Sequence, residues 1–223
     1  VNEMSEKADR VVKEMKEMGW EDIYDNEAMK IETYNKKSRL KYYTQVWSAK
    51  WIDENDIVLD VGCGNGELCG YAEDKGCKRV VAYDVSQEAL NKAKEYTNPK
   101  IVEFIKGYAE KLPFEDKTFT VVTCNQVLEH LKDDDLVIGE MLRVLKKNGK
   151  LIITVPIGNE LDGKDNNSKH LNKYDYNNVL RKFQVLGDDF TISMIPKFKD
   201  KNVQGVHKLT NRINCFGIVH NKR

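Results

Sequence analysis

The chain has 223 residues, with 36 Lys and Arg against 36 Asp and Glu, and therefore no formal net charge. That balance argues against a global field of the kind that draws a protein to nucleic acid or to an anionic membrane, and no stretch approaches the roughly 18 consecutive apolar residues of a membrane-spanning helix. The N-terminus is too polar for a secretory signal, so the expectation is a cytoplasmic protein with no membrane partner, built on one sizeable core with a small appendage.

Residues 1–52 read as a helical cap and residues 53–223 as the main domain. In the cap, Ser5 to Met18 places Val11, Val12 and Met15 on a narrow apolar stripe, and Asn35 to Lys50 carries Leu40, Tyr43, Val46 and Trp47 at helical spacing. Trp20, Tyr24, Tyr34, Tyr42, Tyr43, Trp47 and Trp51 make this region aromatic. At such spacing core packing is the commoner cause, and a binding surface the rarer one.

From Asp56 the pattern alternates. Strands are expected near 57–61, 79–84, 101–106, 119–124 and 150–155, and helices near 66–75, 87–96, 133–146 and 176–184. Ser86, Asp133 and Asp175 are good N-cap residues for three of those helices. Phe190 to Ile195 and Ile213 to Val219 complete the set as the last two strands. This order predicts an α/β fold: a mostly parallel sheet covered by helices on both faces, with ligands at the carboxyl ends of the strands.

Within that frame, Ile57-Val-Leu-Asp-Val61 is an apolar strand that breaks into Gly62-Cys-Gly-Asn-Gly66, and Asp84 closes the next strand. Glycines without Cβ let the chain turn tightly and approach a ligand closely, while the following helix would offer free N–H groups and the positive end of its dipole. An acid some 20 positions on, at the end of the second strand, is placed to bond ribose hydroxyls. Together these features describe a nucleoside site. A dinucleotide site needs a small residue at position 67, where this chain has Glu67, and no triphosphate-binding loop is present.

The spacing Asp60-x-Gly62-x-Gly64-x-Gly66 resembles the first motif of the class I S-adenosylmethionine-dependent methyltransferases. Tyr108-Ala-Glu-Lys-Leu-Pro-Phe114, Phe119-Thr-Val-Val, Val127-Leu-Glu-His-Leu131 and Leu142 to Pro156 are similar, in order, to later motifs of the family's small-molecule branch. The resemblance covers residues 57–156 and extends more weakly to the end. It implies a Rossmann-like sheet of seven strands whose last strand inserts antiparallel beside its predecessor, and S-adenosyl-L-methionine as cofactor.

By the same resemblance, Gly62 and Gly64 pass close to the methionine end of the cofactor, Asp60 orients the turn or binds through a water, and Asp84 bonds the ribose. Tyr108, Ala109 and Glu110 surround the adenine, although many relatives have an aspartate where this chain has Tyr108. Asn125 and Gln126 face the methionine and methyl end, and Tyr34 is the expected contact from the helical cap.

Methyl transfer from a sulfonium demands alignment of the acceptor and, where needed, removal of its proton. The candidate bases are His170, in a loop segment His170-Leu-Asn-Lys-Tyr174 that is similar to one in relatives, and His130 after the fourth strand. Residues 164–223 hold 12 Lys and Arg against 5 Asp and Glu, while the rest of the chain holds 24 against 31. An anionic acceptor such as a sugar nucleotide or phosphate ester would suit Lys164, Lys169, Lys173, Lys197, Lys199 and Lys201; nucleic acid is less favoured, because no stacking aromatics are interleaved with the lysines. The five cysteines, at 63, 69, 77, 124 and 215, are scattered without metal-ligand spacing, so no metal is expected.

The reading is an enzyme that methylates a hydroxyl or amine of a small acceptor. Methylation of RNA or protein, and a cofactor-binding domain without turnover, are the alternatives.

Overall fold

The computed structural model describes residues 2–17, 19, 21–22, 43–157, 171–184, 190–199 and 208–222. Seven strands form one sheet: β1 (Ile57–Val61), β2 (Arg79–Asp84), β3 (Val102–Lys106), β4 (Phe119–Asn125), β5 (Leu145–Pro156), β6 (Phe190–Lys199) and β7 (Lys208–Asn221), in the order β3-β2-β1-β4-β5-β7-β6. The first five strands are parallel, and β7 runs antiparallel between β5 and β6. Chain order reverses between β1 and β4, which opens a crevice at their carboxyl ends.

The helices are α1 (Asn2–Glu17), α2 (Tyr43–Ala49), α3 (Glu67–Asp74), α4 (Gln87–Tyr96), α5 (Asp134–Val144) and α6 (Tyr176–Gln184). All three expected caps form. Ser86 Oγ accepts from the Ala89 amide at 3.0 Å, and Asp133 Oδ1 accepts from Leu136 N at 3.0 Å. Asp175 and Asn178 cap each other's backbone amides at 2.8 and 2.9 Å, the reciprocal arrangement that starts a helix cleanly.

Alternate residues of the central strands feed two apolar layers. Val58, Val80, Ala82 and Val121 pack with Ala49, Ile52, Leu68, Ala72 and Leu90 on the α2, α3 and α4 side. Leu59, Val61, Val81, Val122 and Ile153 pack with Val137, Met141, Val179 and Phe183 on the α5 and α6 side. A third, smaller cluster holds Ala8, Val11 and Met15 of α1 against Tyr108 and Leu136. Trp47 and Trp51 meet edge to face at 6.0 Å between ring centroids, and a Cβ at Gly217 would lie 2.5 Å from Trp47. These two aromatics pack against neighbours and lie outside the cavity described below. Trp20, Tyr24, Tyr34 and Tyr42, with the proposed helical residues 35–42, fall outside the described residues.

Three boundaries differ from expectation. α5 stops at Val144, and β5 begins at Leu145 rather than near residue 150, because Leu145 pairs with Phe119 across a register shift. Asn148, at φ +63, donates its amide to Lys222 O, a partner 74 positions away in sequence. β6 and β7 run on to Lys199 and back to Lys208, since beyond the sheet they pair with each other, with irregularities around Pro196, which has no N–H to donate. All five cysteines are free and buried. Among the described residues no group of side chains could hold a metal ion, and no helix is long and apolar enough to cross a membrane.

Candidate active site

A cavity of about 330 Å³ sits at the carboxyl ends of β1, β2 and β4. Its floor is the glycine turn. Gly62 has φ +70, and a Cβ there would strike Val127 at 2.3 Å; Gly64 has φ +52 and open space where a Cβ would be. Gly62 N and Cys63 N both donate to Tyr83 O, at 2.8 and 3.1 Å. Asp84 then ties two turns together, its Oδ2 accepting from Gly64 N at 2.8 Å and its Oδ1 from Ser86 N at 2.9 Å.

Gly62, Gly64, Asp84, Tyr108, Ala109, Glu110, Asn125, Gln126 and His130 all line this cavity. Asp60 does not. Its side chain shares a strand face with Val58, beneath α3, where Thr123 Oγ1 donates to it at 2.7 Å and Cys69 Sγ at 3.6 Å. Burial pushes its carboxyl up to about 7 against those two hydrogen bonds, and the nearby carboxylates of Glu67 and Asp84 add to the rise. Tyr34 and His170 lie outside the described residues.

At the β2–β3 end, Tyr108 turns its hydroxyl to Glu21, donating to Oε1 at 2.8 Å, with Lys16 Nζ 5.5 Å from its ring centroid. The tyrosine therefore fastens the α1 segment. Glu110 is fully buried, and its carboxyl oxygens have no partner on another residue. Desolvation drives this carboxyl up to about 7, with repulsion from Asp133 adding to the effect. The turn between them is tight: a Cβ at Gly107 would lie 2.0 Å from Tyr83 Oη, and that hydroxyl donates to Tyr108 O at 3.0 Å.

At the β4 end, Gln126 adopts φ +56 and donates its amide to Thr154 O at 2.9 Å. His130 ends a short 3₁₀ turn, Leu128–His130, with its Nε2 3.8 Å from the buried Glu129 carboxylate. Leu171 N and Asn172 N donate to Glu129 O at 2.7 and 3.0 Å, so the segment entering α6 is strapped onto that turn.

Several lining residues escaped the sequence reading. Met15 and Gln45 come from α1 and α2, and Val127 and Leu131 flank the 3₁₀ turn. Met15 stood on the recognised apolar stripe of α1, but nothing local shows where that stripe docks. Glu67, read only as an obstacle to a dinucleotide, lines the cavity as the first residue of α3.

Residues 59–153 match the family model described as a methyltransferase domain. The chain is 37% identical over 101 residues to the demethylmenaquinone methyltransferase of Chlorobaculum tepidum, covering 45% of this chain and 40% of that protein. It is 33% identical over 106 residues to the ribosomal protein L11 methyltransferase of Thermotoga maritima, covering 47% and 39%. The match thus spans about 40% of the length of these curated relatives. Among solved structures, a chain of the complex between the Haloferax volcanii Trm112 methyltransferase activator and a methyltransferase superposes with a TM-score of 0.68 at 19% identity, covering 82% of this chain and 91% of that one.

The sheet order and the structural likeness give the chain the Rossmann-like fold of class I methyltransferases, and its residues 59–153 match the methyltransferase domain model.

Proposed function

We propose that the chain is an S-adenosylmethionine-dependent methyltransferase acting on a hydroxyl or amine of a small acceptor. The observation that carries this is the Asp84–Gly64 tie at the edge of the cavity: a carboxylate at the end of β2 holds the glycine turn at the end of β1, beside a space of about 330 Å³. That volume lies in the ordinary range for small-molecule sites, roughly 300–1,000 Å³.

The residues present fit the cofactor. Asp84 stands at the end of β2 where ribose hydroxyls would meet it, and Gly62 and Gly64 bring backbone without a Cβ to the cavity floor. Glu110 and Asn125 line the cavity at its two ends, and the Glu110 carboxyl oxygens and the Asn125 amide nitrogen are buried without a hydrogen-bond partner. Tyr108, Ala109 and Glu110 would take the purine, and Asn125 and Gln126 the methionine end. When bound, the cofactor supplies a methyl group already activated on a sulfonium. The chain's own part is to orient the acceptor, keep water away and accept a proton, with His130 or His170 as the base.

A small acceptor suits the size of the cavity, and the segment entering α6 is strapped by Leu171 N and Asn172 N to the 3₁₀ turn that carries His130. Among the described residues no Lys or Arg lines the cavity. Lys173 is exposed nearby in sequence, so an anionic acceptor would draw its cations from the loop and hairpin lysines. The relative named for a quinone precursor agrees with a small acceptor, and the one named for a ribosomal protein keeps a macromolecular acceptor as the alternative.

Calorimetric titration with S-adenosylhomocysteine and with NAD tests the cofactor, and labelled methyl transfer to a panel of phenols, amines, sugar nucleotides and tRNA tests the acceptor. Binding of the first nucleoside without the second is expected; the reverse would overturn the reading.

A further inference from the structure

Between Val127 and Leu131 the cavity wall is a single 3₁₀ turn, Leu128–His130, and this stretch supplies the lining residues Val127, His130 and Leu131. Within it the backbone makes two bonds, His130 N to Val127 O at 2.9 Å and Leu131 N to Leu128 O at 3.3 Å. One turn of 3₁₀ helix, with its poorer hydrogen-bond geometry, is a weak support for a catalytic wall. The rest of the support comes from a distant segment.

Asn172, 41 positions beyond Leu131, supplies most of it. Its main-chain N–H donates to Glu129 O at 3.0 Å, beside Leu171 N at 2.7 Å. Its side-chain nitrogen donates to Leu128 O at 3.0 Å and to Leu131 O at 2.7 Å. Both neighbours are carbonyls, so the sense of the amide is fixed, and each of its two protons has an acceptor. A hydroxyl, with one proton, or a carboxylate, with none, could not clasp both. The clasp is itself braced, since Tyr174 bridges to Ile157 and donates its hydroxyl to Asp134 at 2.6 Å, while Lys173 O accepts from Asn178 Nδ2 at 2.8 Å at the start of α6. We propose that Asn172 is a positioning residue: by clasping Leu128 and Leu131 it fixes the turn from which His130 lines the cavity, and so sets where the imidazole stands toward an acceptor. This deepens the methyltransferase reading and rests on it for what occupies the cavity.

The test follows the His130 ring by NMR. The chain has four histidines, and His130→Gln identifies the signal by its loss. Adding S-adenosylhomocysteine to the parent should shift that signal, because the ring lines the cavity. Asn172→Ala and the isosteric Asn172→Asp, which has no amide protons to donate, should each displace it in the unliganded protein and speed amide exchange at His130 and Leu131 by roughly tenfold, the scale of a lost hydrogen bond. Tyr174→Phe is the control. It removes the bond to Asp134 from the same segment without touching the turn, so it should lower the melting temperature and leave the His130 signal in place. On an acceptor from the panel, Asn172→Asp should lower turnover by roughly tenfold to a hundredfold, the cost of a misplaced reacting group, with the acceptor's Michaelis constant near the parent value. A parent-like His130 signal in both Asn172 variants, or an equal displacement in Tyr174→Phe, would overturn the assignment. If S-adenosylhomocysteine leaves the parent's signal unmoved while both Asn172 variants displace it, the positioning role stands and the cofactor reading falls.

Discussion

Asp84 Oδ2 accepts the Gly64 amide at 2.8 Å while its Oδ1 accepts Ser86 N at 2.9 Å, so one carboxylate spans the turn after β1 and the turn that opens α4. Tying these two turns fixes the carboxylate at the cavity edge, where the ribose role would place it.

Replacing Asp84 with Ala should weaken S-adenosylhomocysteine by about ten- to a hundredfold, the loss of hydrogen bonds to a charged acceptor worth roughly 1.5–3 kcal/mol. Asp84→Asn, which can still accept from one backbone amide, should retain more of the fold's stability than of the affinity. Calorimetry beside thermal melts separates the two effects. Unchanged affinity in Asp84→Ala removes the ribose assignment.

Asp60 and Glu110 give a pH signature. Both are buried acids raised to about 7 from ordinary values of 3.8 and 4.5. The folded state keeps their protons after the unfolded chain has lost them. Their contribution is thus full below about pH 4 and is lost as pH rises toward 7. Asp60→Asn and Glu110→Gln cannot ionise, so each should raise the melting temperature at pH 8 and leave it near the parent value at pH 4. Melts across that range check it; a gain at pH 4 equal to that at pH 8 would mean that ionisation is not the cause.

Much of this site was legible because it is held by the backbone at strand ends. Gly62, Gly64 and Asp84 follow from where apolar runs stop, Asn125 and Gln126 were implied by the family resemblance, all five line the cavity, and Ser86 and Asp175 marked α4 and α6 through their caps. Asp60, expected to orient the turn or bind through a water, does not line the cavity, since strand alternation puts it on the face of Val58, under α3. The early start of β5 was hidden because Lys146 to Gly149 reads as a polar turn, and its partners Phe119 and Lys222 are distant in sequence. Met15 and Gln45 were not singled out for a related reason: where α1 and α2 dock depends on partners distant in sequence, such as the ion pairs of the α1 segment, that no local pattern encodes.

Those pairs are specific. Lys7 meets Asp133, Glu14 meets Lys132, Asp9 lies 2.6 Å from Lys111, and Glu21 lies 2.6 Å from Lys106. Each is at least partly exposed and therefore weak singly and screened by salt. Among the described residues the apolar anchor of α1 is small, Ala8, Val11 and Met15 with Val12 beside them, so α1 should open more readily than the sheet. Limited proteolysis should show cleavage within residues 1–52 rising with salt and falling when S-adenosylhomocysteine is added. Identical patterns under all conditions would make α1 a fixed part of the core.

The proton acceptor is the last matter for test. His130 lines the cavity, with its Nε2 3.8 Å from the buried Glu129 carboxylate. His170, outside the described residues, competes for the role on the strength of its loop motif. If His130 is the base, His130→Ala should lower turnover by roughly 10²–10⁴ with cofactor affinity intact. The parent rate should rise with pH through the histidine range, and that rise should vanish in the variant. His170→Ala assayed beside it, on the best acceptor from the panel, decides between the two. Loss of the pH dependence in only one variant names the base; near-parent turnover in both leaves catalysis to alignment of acceptor and methyl group.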